Sequence, residues 1–317
     1  MEKRRLGNSD LRVYPLAFGG NVFGWTIDEK KSFEILNGFT EAGFNFIDTA
    51  DSYSKWVPGN KGGESENIIG NWMRQKKNRD QMVIATKVGS LFDSDKKCLS
   101  KEYILKSVDD SLRRLKTDYI DLYQSHYDDL ETPVQETLEA YDQLVKSGKI
   151  RWIGASNMSP ERLKESLETA ERLNLPRYQT LQPEYNLYAR EGYEKSYEQI
   201  VLDNDLGMIP YYSLASGFLT GKYRSEEDLN KSQRGGGIKK YLNERGFKIL
   251  KALDIVAEQY SANQAGIALA WLIARTSVTA PIASVTRMDQ LEDFIRAAAL
   301  KLNTEDIAIL DEASDWN

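Results

Sequence analysis

The sequence predicts a (β/α)8 barrel forming a single domain over residues 1–317. Short β-type runs alternate with longer helical patterns along the whole chain, and no low-complexity segment or linker divides it. Counted from an early strand near Val13–Ala17, there are eight strands, each followed by a helix or a helix-containing segment. Repeated units of this kind in 317 residues favour a closed barrel. A doubly wound sheet is the competing architecture. It wants G-x-G-x-x-G between its first strand and first helix, and Gly19-Gly20-Asn21-Val22-Phe23-Gly24 does not match.

The elements follow in order. Leu6–Leu11 reads as a turn between two short strands, a β-hairpin ahead of the barrel. Phe44–Asp48 is a strand, followed by a helix over Glu64–Gln75. Met82–Val88 is the next strand. Lys101–Leu115 is helical, with Ile104, Leu105, Val108, Leu112 and Leu115 on one face. Tyr119–His126 and Pro133–Lys146 form a further strand and helix. Ile150–Ala155 precedes a helix at Pro160–Leu173, whose proline suits the first turn. Thr180–Tyr185 and Met208–Tyr212 are strands, with a helix between them near Tyr193–Asn204. Helices over Leu242–Tyr260 and Asn263–Arg275 lead to a strand at Ala280–Ala283. Met288–Ala298 is helical, and Thr304-Glu305-Asp306 reads as the capped start of a last helix ending at Ala313. Tyr223–Tyr241, with Gly235-Gly236-Gly237, reads as a mobile loop.

Composition narrows the function. The net charge of −6, with acids and bases interspersed, disfavours nucleic acid as the main ligand. No apolar run is long enough to span a bilayer, and the N-terminus lacks a signal-peptide pattern, so a membrane partner is not expected. One cysteine, Cys98, and one histidine, His126, exclude an intrachain disulfide and a Cys/His zinc site. No metal is expected, and a reducing cytoplasm is the expected location.

The chemistry gathers at three strand ends. In a barrel the C-terminal ends of the strands share the face that holds the active site. Asp48, Lys87 and His126 end three successive strands, and Tyr53 lies in the loop after Asp48. Tyrosine is a poor acid near neutrality, but an adjacent ammonium favours its phenolate. Lys87 would supply that charge, with Asp48 holding the lysine. Tyr53 then becomes a proton donor to an alkoxide forming at a carbonyl carbon, and His126 hydrogen-bonds and orients the oxygen. Nothing here forms a nucleophile–base pair for acyl transfer. Singly, each group has a structural reading: Asp48–Lys87 as a buried ion pair, Tyr53 packed on Trp56, Gly19-Gly20 as a turn. Tyr185 and Tyr188 are equally suited as core or pocket-wall aromatics and as substrate contacts. One of Trp25 and Trp56 is expected to line the substrate pocket.

Seven pieces in order resemble the aldo-keto reductases. These are Asp48-Thr49-Ala50 with Tyr53, Ala85-Thr86-Lys87, Asp118–Leu122, Gln124-Ser125-His126, Gly148–Asn157, Leu181–Asn186 and Ser216–Tyr223. The match runs from about Leu6 to Glu312, and its last two pieces resemble the branch holding potassium-channel β-subunits and bacterial carbonyl reductases. The resemblance implies a (β/α)8 barrel and a nicotinamide cofactor, NADP(H) by preference and NAD(H) otherwise. It implies a catalytic tetrad of Asp48, Tyr53, Lys87 and His126. It also places Ser156, Asn157 and Gln182 at the nicotinamide carboxamide and Tyr211 under the nicotinamide ring. Leu214, Ser216, Gly217, Thr220 and Lys222 would hold the pyrophosphate, with Gly20 and Asn21 on the floor and Arg234 in a closing loop. Thr286, Arg287, Gln290 and Asp293 would meet the adenosine end, with Arg287 reading a 2′-phosphate.

The chain departs from the pattern at Ser284-Val285, where relatives carry Gly-Ala, and at Phe294, where they carry asparagine. It also has Asp128 where a proline is frequent. Asp128 and Asp129 either face the substrate or cap the following turn. The implied activity is NADPH-dependent reduction of aldehydes, ketones or sugars. The rivals are a cofactor-binding regulatory subunit with slow turnover and a Schiff-base barrel acting through Lys87. The channel subunits carry asparagine at the histidine position, so His126 favours turnover, and the Asp48 partner, by keeping Lys87 charged, argues against the Schiff base. Substrate identity and oligomeric state are not encoded in any of these features.

Overall fold

The computed structural model describes residues 2–90, 97–232 and 235–316. Two strands, β1 (Arg4–Arg5) and β2 (Arg12–Val13), form the N-terminal antiparallel hairpin. Eight parallel strands follow: β3 (Ala17–Gly19), β4 (Phe46–Asp48), β5 (Val83–Val88), β6 (Ile120–Ser125), β7 (Ile150–Ser156), β8 (Thr180–Gln182), β9 (Gly207–Met208) and β10 (Ile282–Ala283). Their order is sequential, and β10 pairs with β3. The remaining seam closes where Thr279 N donates to Met208 O at 2.8 Å and Ile282 N to Pro210 O at 2.9 Å. The fold is therefore the expected (β/α)8 barrel.

Outer helices alternate with the strands: α1 (Glu29–Glu41), α2 (Glu64–Lys76), α3 (Lys101–Leu115), α4 (Val134–Lys146), α5 (Pro160–Leu173), α6 (Glu191–Ser196), α7 (Glu198–Asp203), α8 (Glu244–Gln259), α9 (Gln264–Ala274), α10 (Met288–Ala299) and α11 (Thr304–Ala313). Local chemistry sets their starts. Asp28, Ser100, Ser159, Asn243 and Asn263 each accept a first-turn backbone N–H with their side chain.

Several boundaries differ from the sequence reading. Val13 belongs to the hairpin, and the first barrel strand begins at Ala17, because Pro15 interrupts the run. The helix read over Tyr193–Asn204 is two helices that break at Tyr197, whose φ of −122° is not helical. The strands through Tyr185 and Tyr212 stop at Gln182 and Met208, with only a bridge between Glu184 and Tyr211 beyond them. The last helix is capped by Asn303, which accepts from Asp306 N, so Thr304 is its first helical residue. Described parts of Tyr223–Tyr241 form short 3-10 turns at Glu226–Lys231, Gly235–Gly237 and Lys239–Tyr241.

Strand parity separates two cores. Ile47, Ile84 and Tyr123 point outward into the layer beneath the helices. Phe46, Ala85 and Leu122 point inward, where Leu6, Leu11 and Val13 of the hairpin region pack with them. Side chains two residues further along a strand share its face. Asp48 follows Phe46, Lys87 follows Ala85, and Gln124 and His126 follow Leu122, so an apolar barrel floor leads directly into a polar upper layer. The hairpin occupies the end of the barrel opposite that layer.

Candidate active site

Register brings the polar layer together. Asp48 pairs with Ala85 across β4–β5, and Lys87 with Gln124 across β5–β6. Lys87 Nζ donates to Asp48 Oδ2 at 2.6 Å, to Thr49 O at 2.8 Å and to Tyr53 Oη at 2.9 Å, which uses all three ammonium protons. Asp48 Oδ1 accepts from Gln182 Nε2 at 2.9 Å and from Gln124 Nε2 at 3.1 Å. Both charges of the pair are fully buried and satisfied. Gly154 leaves room for Gln124, because a Cβ there would overlap Thr180 Oγ1 and crowd the Gln124 side chain.

The segment after β4 stays beside β5 before turning. Thr49 N donates to Ala85 O and Asp51 N to Lys87 O. Ser54 then adopts φ 71° and its hydroxyl donates to Phe23 O at 2.7 Å, which folds Tyr53 back over Lys87. His126 follows β6, and its N–H donates to Val88 O at 2.8 Å. Its ring lies 6.0 Å from that of Tyr53 and stacks at 4.5 Å on Tyr127.

The electrostatics assign proton states. Burial pushes the Tyr53 phenol up; the Lys87 charge opposes that without overcoming it, and Asp48 adds to it. The expected lowering of the Tyr53 pKa is thus reversed, since loss of water disfavours phenolate more than one lysine, itself shared with Asp48, favours it. Tyr53 holds its proton at neutral pH. Burial pulls Lys87 down, but Asp48 and Tyr53 outweigh it and the ammonium lies above the ordinary lysine range. Burial, reinforced by Lys87, Lys97 and Lys55, holds His126 well below the usual imidazole range, so the ring is neutral. Its Nδ1 is sealed without a partner among the described residues. An unpaired acceptor is tolerated more readily than an unpaired donor, which places the proton on Nε2.

These groups open into a cavity of about 870 Å³. Asp48, Tyr53 and His126 line it, together with Asn21, Ser156, Asn157, Gln182 and Tyr211. Asn157, at φ 48°, donates to His126 O and Ser156 Oγ and accepts from Tyr211 Oη at 2.9 Å. Gln182 Oε1 accepts no hydrogen bond among the described residues, leaving an acceptor at the cavity wall.

Beyond Tyr211 the wall continues through Leu214, Ser216, Gly217, Thr220 and Lys222. Ala215, Ser216 and Gly217 take φ of 47°, 58° and 101° in succession. Consecutive turns of this kind gather backbone N–H groups into an anion-binding concavity. Lys222 Nζ lies beside Gly217, and Thr220 Oγ1 donates to Gly217 O at 2.7 Å.

Thr286 and Gln290 also line the cavity, and Gln290 Oε1 accepts from Thr286 N at 2.9 Å. Arg287 sits just outside, exposed and bonded to Asp289. Asp293 is half-buried on α10 away from the lining, and Phe294 is a core residue. Gly20 lies behind the floor, where a Cβ would meet Ser65 Oγ at 2.7 Å. Arg234 lies outside the described residues.

Trp56 lines the cavity, whereas Trp25 packs edge-on behind it at 5.5 Å. Tyr185 is buried in the core. Asp129 accepts from Glu131 N, Thr132 Oγ1 and Leu99 N, so it caps the turn, and Asp128 pairs with Arg162. Sequence reasoning did not single out Ser90, Lys55, Lys97, Tyr127 or Tyr212, and it gave no role to Gln124, quoted only within a motif; Ser284, read as a departure from the pattern, lines the cavity. Gln124 carries a readable signal, a polar residue at inward parity in a buried strand; the loop residues carry none.

The sequence profile described as the Aldo/keto reductase family matches residues 15–315. The chain belongs to the aldo/keto reductase family. Among similar proteins is one described as an uncharacterized oxidoreductase, YrpG, of Bacillus subtilis (strain 168). It is 33% identical over 98% of this chain and 95% of its own length. A probable voltage-gated potassium channel subunit beta of Arabidopsis thaliana is 31% identical over 94% of this chain and 91% of its own. An L-glyceraldehyde 3-phosphate reductase of Escherichia coli O157:H7 is 31% identical over 98% and 92%. Members of an oxidoreductase family thus match across almost the full barrel. Among the described residues, no helix is long and apolar enough to cross a membrane.

Proposed function

We propose that the chain is a carbonyl reductase that converts aldehydes, ketones or sugars to alcohols with NADPH, Tyr53 giving the proton. The observation that carries this reading is the hydrogen bond from buried Lys87 Nζ to Tyr53 Oη, a residue that lines the same cavity as His126. One relative is named as a reductase of an aldehyde, which agrees with the direction of the reaction.

The donor set suits a nicotinamide dinucleotide. Gln182 Oε1 and the Ser156 hydroxyl suit a carboxamide, the Tyr211 ring offers a flat surface, and the left-handed turn at Ala215–Gly217 with Lys222 suits a pyrophosphate. When bound, the reduced cofactor supplies a hydride. The protein's own groups act on the oxygen. His126 Nε2–H orients it, and Tyr53 transfers its proton as negative charge develops, because an alkoxide is a stronger base than a phenolate. Lys87 stabilises the phenolate left behind, and Asp48 keeps the ammonium in place. Arg287 provides the guanidinium for a 2′-phosphate.

Initial rates with NADPH and NADH over a panel of carbonyl compounds test this reading. Turnover preferring NADPH, and its loss in Tyr53→Phe with cofactor binding retained, is the expected result. A Tyr53→Phe protein that kept most of its activity would overturn the role of Tyr53.

A further inference from the structure

Ser284 meets the end of β3 with one hydroxyl proton and two neighbours placed to take it. It follows β10 and lines the cavity, as does Asn21, two residues after Gly19. Ser284 Oγ lies 2.7 Å from Gly19 O and 2.8 Å from the end of the Asn21 side-chain amide. Glycine permits this approach, because a Cβ at Gly19 would stand 2.6 Å from that hydroxyl. On the other side, Ser65 Oγ donates to Gly20 O at 2.8 Å, so the backbone leading to Asn21 is held between two hydroxyls. A serine hydroxyl has a single proton to give. With the amide oxygen facing it, either that oxygen or Gly19 O would sit against an oxygen without a proton between them. The backbone carbonyl cannot turn, whereas the amide can present either of its two atoms, which have the same outline. With Nδ2 facing Ser284 every group is satisfied: Ser284 donates to Gly19 O and accepts from Asn21.

We propose that Ser284 is a positioning residue: it turns the Asn21 amide so that the oxygen faces the cavity and accepts from a hydroxyl of the ribose that joins nicotinamide to pyrophosphate. The proposal rests on the carbonyl-reductase reading and deepens it at the cofactor. Gly19 pairs with Asp48 in the barrel register, which puts this strand end beside the buried Asp48–Lys87 pair. Thr286, two residues beyond Ser284, lines the wall given to the adenosine end. Asn21 therefore stands between the reacting end and the adenosine end. Among the described residues, no hydrogen bond reaches the other atom of its amide. The identity of that atom selects the ligand group. A cavity-facing Nδ2 would suit a phosphate oxygen, whereas a cavity-facing Oδ1 is repelled by phosphate and suits a hydroxyl. The part of a dinucleotide between carboxamide and pyrophosphate is a ribose, and its hydroxyls are the donors there. Glycine at position 284 would leave the amide free to turn either way.

The test titrates NADPH and 2′,5′-ADP into the wild-type chain, Ser284→Ala, Asn21→Ala and the double variant by calorimetry. The second ligand carries the adenosine end and lacks the nicotinamide ribose. Ser284→Ala should weaken NADPH by about three- to tenfold, the ratio one hydrogen bond supplies, and leave 2′,5′-ADP unchanged. Asn21→Ala should do the same. In the Asn21→Ala background, Ser284→Ala should have no further effect, because the serine acts through the amide. A general loosening of the barrel rim would weaken both ligands and would not be cancelled by the second substitution. A neutron structure of the wild-type chain reads the amide without any substitution, and should show the Asn21 Nδ2 deuterons directed at Ser284 Oγ.

Unchanged NADPH affinity in Ser284→Ala, equal weakening of the two ligands, or an effect that survives in the Asn21→Ala background would overturn the role of Ser284 and leave the reductase reading standing. Nδ2 deuterons on the cavity side would overturn it in the same way. A wild-type chain that binds neither ligand would overturn the cofactor reading, and the ribose contact with it.

Discussion

Gln182 Nε2 donates to Asp48 Oδ1 at 2.9 Å, so a side chain on the cavity wall is also part of the support for the buried Asp48–Lys87 ion pair. Gln124 makes the matching bond from the opposite side at 3.1 Å and accepts from Gln182 at 3.2 Å. Gln124 does not line the cavity and Gln182 does. Hydrogen bonds to a buried charge contribute about 1.5–3 kcal/mol. Gln124→Leu should therefore lower kcat roughly tenfold or more with little change in cofactor affinity, while Gln182→Leu should lose both. Steady-state rates together with a cofactor titration check this. Loss of cofactor binding in Gln124→Leu would show that the two glutamines do not divide the work.

Much of this site was legible because strand parity is a strict rule. Asp48 and Lys87 lie at inward positions one step beyond Phe46 and Ala85, and His126 two steps beyond Leu122, and polar groups there have no structural need to be polar. The family pattern added Ser156, Asn157 and Gln182. The direction of the Tyr53 shift was not legible. It depends on burial, which a turn closing through Ser54 at φ 71° creates and which no local pattern announces. The same holds for Lys55, Lys97 and Tyr127, which come together through loops whose sequence carries no periodicity. At the barrel's start, a proline between two short β-type runs decided which run joined the sheet.

His126 is the only histidine in the chain, which makes its linkage measurable. Its folded pKa lies well below the usual value, so the group is neutral when folded and binds a proton more readily when unfolded. Its contribution is fully present above about pH 6.5 and is lost as pH falls from there toward the folded pKa, at up to ~1.4 kcal/mol per unit. The difference in unfolding free energy between wild type and His126→Asn isolates this slope, because the carboxylates are common to both. A difference that stays flat from pH 7 to 5 would contradict the neutral, buried ring.

Arg287 binds Asp289 through Nε at 3.0 Å and Nη2 at 2.8 Å, and both side chains are largely exposed. Such pairs contribute about 0–1 kcal/mol, so a 2′-phosphate would compete for the guanidinium at small cost. Arg287→Ala should weaken NADPH by roughly tenfold or more and leave NADH nearly unchanged. Asp289→Asn, which removes the competing carboxylate, should strengthen NADPH by up to about fivefold. Equal effects of Arg287→Ala on the two dinucleotides would remove Arg287 as the reader of the phosphate.

Asp51 is fully buried, and neither carboxyl oxygen finds a partner among the described residues. Burial, with Glu66 adding repulsion, raises its pKa well above the ordinary carboxylate value, although Arg114 pulls the other way. The folded chain therefore keeps a proton that the unfolded chain releases above about pH 3.9. Stability from this group is complete below that value and declines as pH rises toward the folded pKa, by ~1.4 kcal/mol per unit. Asp51→Asn has no proton to lose and nearly the same shape. Its stability relative to wild type should climb across that window and level off once the folded acid titrates. Chemical denaturation at pH 4.5, 6 and 7.5 reads the trend directly. A constant offset between the two proteins would mean that Asp51 is ionised when folded and that its charge is balanced within the fold.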